Sequence, residues 1–98
     1  MIRGMSNSRP DIYQALADPT RRRILELARD RERSVHELLA AFRVTQSAIS
    51  QHLRVLRDAG LVRVRIAGRQ HLYRAESAPL RRLAEWAGKF PEQKPGKT

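Results

Sequence analysis

The stretch Thr45-Gln-Ser-Ala-Ile-Ser-Gln-His-Leu-Arg-Val-Leu-Arg-Asp-Ala-Gly60 predicts a helix with one apolar face and one polar face. Ile49, Leu53 and Leu56 follow the i, i+4, i+7 spacing that places side chains on one side of a helix. Thr45 is a favourable N-cap, and Gly60 suits the position just past a helix C-terminus. Both ends of the helix are therefore marked by residue chemistry.

The opposite face of this predicted helix carries hydrogen-bonding side chains and no acidic residue. A solvated helix face usually mixes both signs of charge. Amide, hydroxyl and guanidinium groups instead match the base edges and phosphates of a DNA major groove. We therefore interpret the stretch as a DNA-recognition helix. The residues expected to contact DNA from it are Thr45, Gln46, Ser47, Ser50, Gln51 and Arg54.

The residues before this helix predict two further helices. Ser34 and Glu37 match the S-x-x-E capping box, so a short helix is expected to precede a tight turn into Thr45. Two helices across so brief a turn form a helix-turn-helix. Asp18-Pro19 predicts an N-cap followed by proline at the first helical position.

Arginines crowd the first turn of the helix that begins at Pro19. Cations there oppose the helix dipole, whereas a docked phosphate would be favoured. Arg21 and Arg22 are therefore candidate phosphate contacts. The alternative is that Arg21, Arg22 and Arg23 are solvated or paired with Glu26 and Asp30.

A predicted β-hairpin follows the recognition helix. Residues 61–66 alternate, with Val62, Val64 and Ile66 on one side and arginines on the other. Residues 67–69 supply a turn, and residues 70–74 are expected to return as a strand. The predicted fold is therefore mainly α with a small β-hairpin, a winged helix-turn-helix. Its wing tip, Arg65, Arg69 and Gln70, is expected to meet phosphate or the minor groove, unless these side chains are merely solvated.

The two ends of the domain carry apolar stripes. Asp11 opens a short first helix, and Ser77 is expected to cap a last helix. More apolar area lies on them than one small core needs, which favours a dimer surface over packing on their own domain. The domain is expected to span 11–90, between a flexible leader at 1–10 and a disordered tail at 91–98. The expected dimer residues are Ile12, Tyr13, Leu16, Leu80, Leu83, Trp86, Ala87 and Phe90.

Composition limits the possible partners. The chain has 98 residues, enough for one small domain, and a formal charge of +10 from 20 basic and 10 acidic residues. That imbalance favours nucleic acid over membrane. The preference for arginine over lysine suits phosphate and guanine contacts, but a GC-rich genome would also produce it. Without cysteine, disulfides and thiolate metal ligands are excluded. No apolar run approaches membrane-spanning length, so we expect a soluble cytoplasmic protein.

The chain contains three separated motifs, which are residues 16–25 (LADPTRRRIL), 45–62 (TQSAISQHLRVLRDAGLV) and 68–73 (GRQHLY). In sequence and order these motifs resemble the arsenic-repressor (ArsR) family of bacterial winged-helix regulators. The resemblance implies a homodimeric DNA-binding repressor that dimerises through its first and last helices and binds an inverted repeat. Many members of that family sense metal through a Cys-Val-Cys pattern, where this chain has Ser34 and His36. It therefore resembles the metal-independent members, and no metal or other cofactor is expected.

Other function classes fit the sequence less well. No H-E-x-x-H, phosphate loop or G-x-S-x-G occurs, so an enzyme is not expected. A metal site at the last helix would have only Glu76, Glu85 and Glu92 as ligands. An RNA-binding or ribosome-associated domain would usually expose aromatic residues, which here fall mostly on apolar faces. A winged helix used only for protein contacts would not need a basic wing.

Overall fold

The computed structural model describes residues 10–92. The expected leader at 1–10 and tail at 91–98 therefore fall almost wholly outside the described residues. Those residues form five helices around a small antiparallel sheet, which confirms the predicted winged helix-turn-helix. The elements are α1 (Ile12–Leu16), α2 (Pro19–Leu27), β1 (Arg33–Ser34), α3 (Val35–Leu39), α4 (Gln46–Asp58), β2 (Val62–Ala67), β3 (Gln70–Ala75) and α5 (Ser77–Ala87).

Side-chain caps begin the first four helices. Each cap accepts a hydrogen bond from a backbone N–H that has no partner within its own helix. The predicted start of α2 at Asp18-Pro19 and the predicted capping box at the start of α3 are both confirmed. The caps are Asp11 with Gln14 for α1, Asp18 for α2, Ser34 with Glu37 for α3, and Thr45 for α4.

Gly60 ends α4 as the sequence predicts. Its φ of +80° lies in the left-handed region, which favours glycine. The Gly60 N–H donates to Arg57 O, and the Leu61 N–H donates to Leu56 O, both at 2.9 Å. These two bonds form a Schellman motif, and the fully buried Leu61 anchors it to the core. The chain therefore turns directly from the end of α4 into β2.

The sheet has the strand order β1-β3-β2, and all its pairs are antiparallel. The hairpin of β2 and β3 was predicted, and Gly68 turns it with a φ of +63°. Strand β1 was not predicted, because two residues are too few to show a strand period. It pairs Arg33 with Tyr73 and Ser34 with Leu72, so the charged connection before α3 ends in the sheet.

The core lies between α2, α3, α4 and the base of the hairpin. The apolar face predicted for α4 is confirmed, since Ile49, Leu53 and Leu56 are buried. Ile24 of α2 and Leu38 of α3 are buried in the same core. Burying each such side chain contributes about 1.5–3 kcal/mol. Ile66 is an exception, because it was placed on the same side as Val62 but is 66% exposed. Burial decreases along β2 as the strand leaves the core toward its turn.

Helix α5 differs from prediction at both ends. Its N-cap is Glu76, which makes no side-chain cap hydrogen bond, and Ser77 is the first helical residue. The helix ends at Ala87, so Phe90 lies beyond it, after the C-cap Gly88 and before Pro91. A residue that precedes proline is disfavoured in the helical region, which limits any extension. No residue of α5 is buried, and no described helix is long and apolar enough to cross a membrane.

Candidate nucleic-acid interface

Helix α4 presents its polar face to solvent. Its buried residues are Ile49, Leu53 and Leu56, and the predicted polar face lies on the opposite, exposed side of the helix. The Thr45 hydroxyl accepts the Ala48 N–H at 3.0 Å, so it caps the helix and keeps its O–H donor and one lone pair for another partner. The exposed residues of the predicted recognition set are Thr45, Gln46, Ser47, Ser50, Gln51 and Arg54.

The wing, formed by β2, β3 and their turn, places two of its three predicted contacts at the tip. Arg69 lies in the turn and Gln70 begins β3, and both are exposed. Arg65 differs, because it lies within β2 opposite Leu72 and not in the turn. The tip therefore offers one guanidinium and one amide.

Arg65 is already engaged by an acidic side chain. Its Nε and Nη2 donate to the two carboxylate oxygens of Glu32 at 2.9 and 2.7 Å. The hydrogen bond from Arg65 lowers the pKa of Glu32, and the same bond raises the pKa of Arg65. The neighbouring Arg63 pairs with Glu76 at 2.9 Å. This part of the wing is therefore partly neutralised, which the alternating pattern of β2 could not reveal.

Arg21 and Arg22 point toward the end of α1. The Nε and Nη2 of Arg21 donate to Ala15 O and Gln14 O at 2.8 and 3.1 Å, and Nη1 of Arg22 donates to Leu16 O at 2.7 Å. Cations are favourable at a helix C-terminus, where carbonyl groups lack partners. Two of the three arginines in the first turn of α2 thus bind the end of the preceding helix, whereas Arg23 pairs with Glu26 at 3.1 Å.

His52 joins this cluster from α4. Its Nδ1 lies 3.2 Å from Nη1 of Arg21, and its Nε2 lies 4.0 Å from Oδ2 of Asp18. Partial desolvation raises the pKa of Asp18. The hydrogen bond from the Arg21 N–H and the charges of His52 and Arg21 lower it by more, so the net pKa lies below its ordinary value. His52 itself is half-buried at the edge of the apolar face of α4.

A cleft of about 270 Å³ separates the wing from the starts of α3 and α4. Two histidines, His36 and His71, line it together with Arg69. The sequence alone does not connect these two histidines, because they are 35 positions apart and only the sheet brings their segments together. Among the described residues, no group of three or more His, Cys, Asp or Glu is placed to hold a metal ion.

The predicted dimer residues divide into two groups. Ile12, Leu16 and Leu80 pack partly against the core of their own domain. The aromatic members are open to solvent, with Tyr13 60%, Trp86 52% and Phe90 60% exposed. Trp86 and Phe90 also contact each other edge to face, at 5.1 Å between ring centroids. Leu83 is half-buried, and Ala87 is exposed.

Comparison with known proteins places this fold and its helix-turn-helix among bacterial regulators. The profile described as "Bacterial regulatory protein, arsR family" matches residues 18–64. The HTH-type transcriptional repressor SmtB of Mycobacterium tuberculosis is 44% identical over 64 residues, which cover 65% of this chain and 47% of SmtB. The chain therefore spans about half the length of that relative.

Two other similarities cover more of both chains. The HTH-type transcriptional regulator YuzN of Bacillus subtilis is 36% identical over 86 residues, which cover 81% of this chain and 94% of YuzN. The solved structure of an ArsR-like transcriptional regulator from Rhodococcus sp. RHA1 superposes with a TM-score of 0.74 at 33% identity. That alignment covers 80% of this chain and 72% of the Rhodococcus chain.

Proposed function

Because the chain belongs to the ArsR family of bacterial transcriptional regulators, which are not enzymes, we propose that it binds double-stranded DNA sequence-specifically and represses transcription. The observation that carries this proposal is the exposed face of α4, where Gln46, Ser50 and Gln51 belong to a stretch, residues 45–57, without an acidic residue. Amides and hydroxyls on a rigid helix suit the donor and acceptor pattern of base edges.

Base readout and phosphate binding fall to different side chains in this proposal. Gln46, Ser47, Ser50 and Gln51 read base edges, with Thr45 donating its hydroxyl at the helix start. Arg54 from α4, and Arg69 with Gln70 from the wing tip, contact the backbone and position the protein without reading sequence. Arg21, Arg22 and Arg65 have protein partners in the free chain, so they bind DNA only if those partners are exchanged.

We further propose that two copies act as a homodimer on an inverted repeat. The exposed rings of Tyr13, Trp86 and Phe90 support this, since aromatic side chains are enriched at protein interfaces. A two-fold dimer places its two α4 helices in successive major grooves about 34 Å apart on one face of the DNA. Repression then follows from occlusion of the promoter.

Selection of bound duplexes from a random pool tests the proposal directly. A motif with two symmetric half-sites is the expected result. Preferential binding to structured RNA would support the RNA-binding alternative, and binding to neither nucleic acid would support a protein-contact role. Each of these two results would overturn the DNA proposal.

Two variants then separate base readout from phosphate binding. Gln51→Ala is expected to weaken binding to the selected site by about 1–3 kcal/mol while leaving binding to random duplex unchanged. Arg69→Ala is expected to weaken binding to every duplex and to reduce the salt slope by about one. Equal losses on selected and random DNA for Gln51→Ala would contradict its assignment to base readout.

A further inference from the structure

We infer that the cleft between the wing and the starts of α3 and α4 binds one DNA phosphate through two histidines, so that DNA affinity rises as pH falls. We call it the histidine cleft. The inference rests on the proposed function and adds a regulatory property to the same surface. The cleft is lined by Ser34, Val35, His36, Gln46, Arg69, Gln70 and His71.

The position of the histidine cleft matches the path of a DNA strand. A recognition helix lies in the major groove while a wing contacts the backbone or the adjacent minor groove. Because neighbouring grooves are separated by a sugar–phosphate strand, that strand passes between the helix and the wing. Gln46, the first residue of α4, forms one wall of the cleft, and Arg69 in the wing turn forms another.

The sheet brings the two histidines to this place. The ladder of β1 and β3 ends at the pair Ser34–Leu72, so the first residues of α3 lie beside the first residues of β3. His36 belongs to the former and His71 to the latter. Both side chains are exposed, and neither takes part in an ion pair within residues 10–92.

The charges that line the cleft favour an anion. Its lining residues include His36, His71 and Arg69, and no acidic residue. Glu37, the nearest acidic residue on α3, accepts the Ser34 N–H at 2.9 Å and pairs with Arg31 at 3.6 Å. Helix α4 contributes only the neutral amide of Gln46, and β3 adds the neutral amide of Gln70.

Protonation of the two imidazoles changes the strength of this site. A neutral imidazole carries one N–H donor, whereas the protonated form carries two donors and a positive charge. Histidine is the side chain that changes charge between pH 5 and 8. A bound phosphate stabilises the protonated form, so by linkage affinity increases as pH decreases.

The test is DNA binding by the full chain across pH. Fluorescence anisotropy with a selected duplex is measured from pH 6 to 8 at constant ionic strength. The wild type is expected to bind about fivefold or more tightly at pH 6 than at pH 8. His36→Gln and His71→Gln are each expected to reduce this ratio, and the double variant is expected to abolish it. Both positions are exposed, and urea unfolding checks that the variants remain folded.

His52→Gln is the matched control, because His52 is the remaining one of the three histidines and lies on α4 outside the cleft. This variant is expected to keep the pH ratio of the wild type. A wild type that binds the selected duplex equally at pH 6 and 8 would overturn the inference but leave the proposed function intact. A double variant that keeps the full ratio of affinities between pH 6 and pH 8 would also overturn the inference. The same holds if only His52→Gln loses this ratio. A wild type that binds no duplex at any pH would overturn the proposed function itself.

Discussion

Replacing Arg21 with alanine distinguishes a structural role from a DNA-binding one. The sequence made Arg21 a candidate phosphate contact, whereas the folded chain uses its guanidinium to join α1, α2 and α4. It bonds Ala15 O at 2.8 Å, Gln14 O at 3.1 Å and Nδ1 of His52 at 3.2 Å. If the structural role dominates, Arg21→Ala lowers the free energy of unfolding and leaves the DNA affinity of the folded protein largely unchanged.

The magnitude follows from the three bonds. A typical hydrogen bond contributes about 0.5–1.5 kcal/mol net, and bonds from a charged donor contribute more. Because Arg21 is only half-buried, water replaces part of each bond, so we expect a loss of about 2–4 kcal/mol. With a urea m-value of about 1 kcal/mol/M for a small protein, the unfolding midpoint falls by about 2 M or more.

Urea unfolding followed by circular dichroism, at one fixed protein concentration, measures this loss. Arg22→Ala removes one bond and is expected to cost about 1 kcal/mol, and Arg54→Ala removes no described bond. Arg21→Lys keeps the charge but not the planar fork of donors, so it is expected to be nearly as unstable as Arg21→Ala. An unchanged midpoint in Arg21→Ala, combined with a loss of DNA affinity that Arg21→Lys restores, would refute the structural role.

Three further outcomes are expected. Gly60→Ala should cost about 1–2 kcal/mol in urea unfolding, because the left-handed backbone is strained with a Cβ although no atom lies within 4 Å of it; an unchanged midpoint would contradict this. The pKa of Asp18 is lowered from its ordinary 3.8, so its carboxylate contributes stability at higher pH that is lost as pH falls through the folded pKa. The free energy of unfolding of Asp18→Asn should therefore depend less steeply on pH below about pH 4 than that of the wild type. The same dependence in both proteins would show that the Asp18 carboxylate does not contribute to it. Trp86→Ser should weaken dimerisation at least tenfold in sedimentation equilibrium, since each dimer loses two exposed rings; an unaltered constant would exclude Trp86 from the interface.

The parts of the fold that depend on local chemistry could be predicted from the sequence. The extent of α4 follows from Thr45, Gly60 and the apolar spacing between them, and the start of α3 follows from the Ser34–Glu37 capping box. Each of these signals depends on residues no more than about four positions apart, so it can be recognised from the sequence alone. The hairpin was predictable for the same reason, because alternation and a glycine turn are both local.

Other features required the folded chain, because they join residues far apart in sequence. Strand β1 exists only because β3 lies beside it, and Glu32 reaches Arg65 only through that pairing. The guanidinium of Arg21 lies near both α1 and His52, and its acceptors could not be read from the run of arginines. The residue pattern determined which side chains face outward, except for Ile66 near the end of β2, since helical and strand periods are set by the backbone. Tertiary packing decided which outward charges are already paired, because distance in space and not in sequence sets the strength of an ion pair.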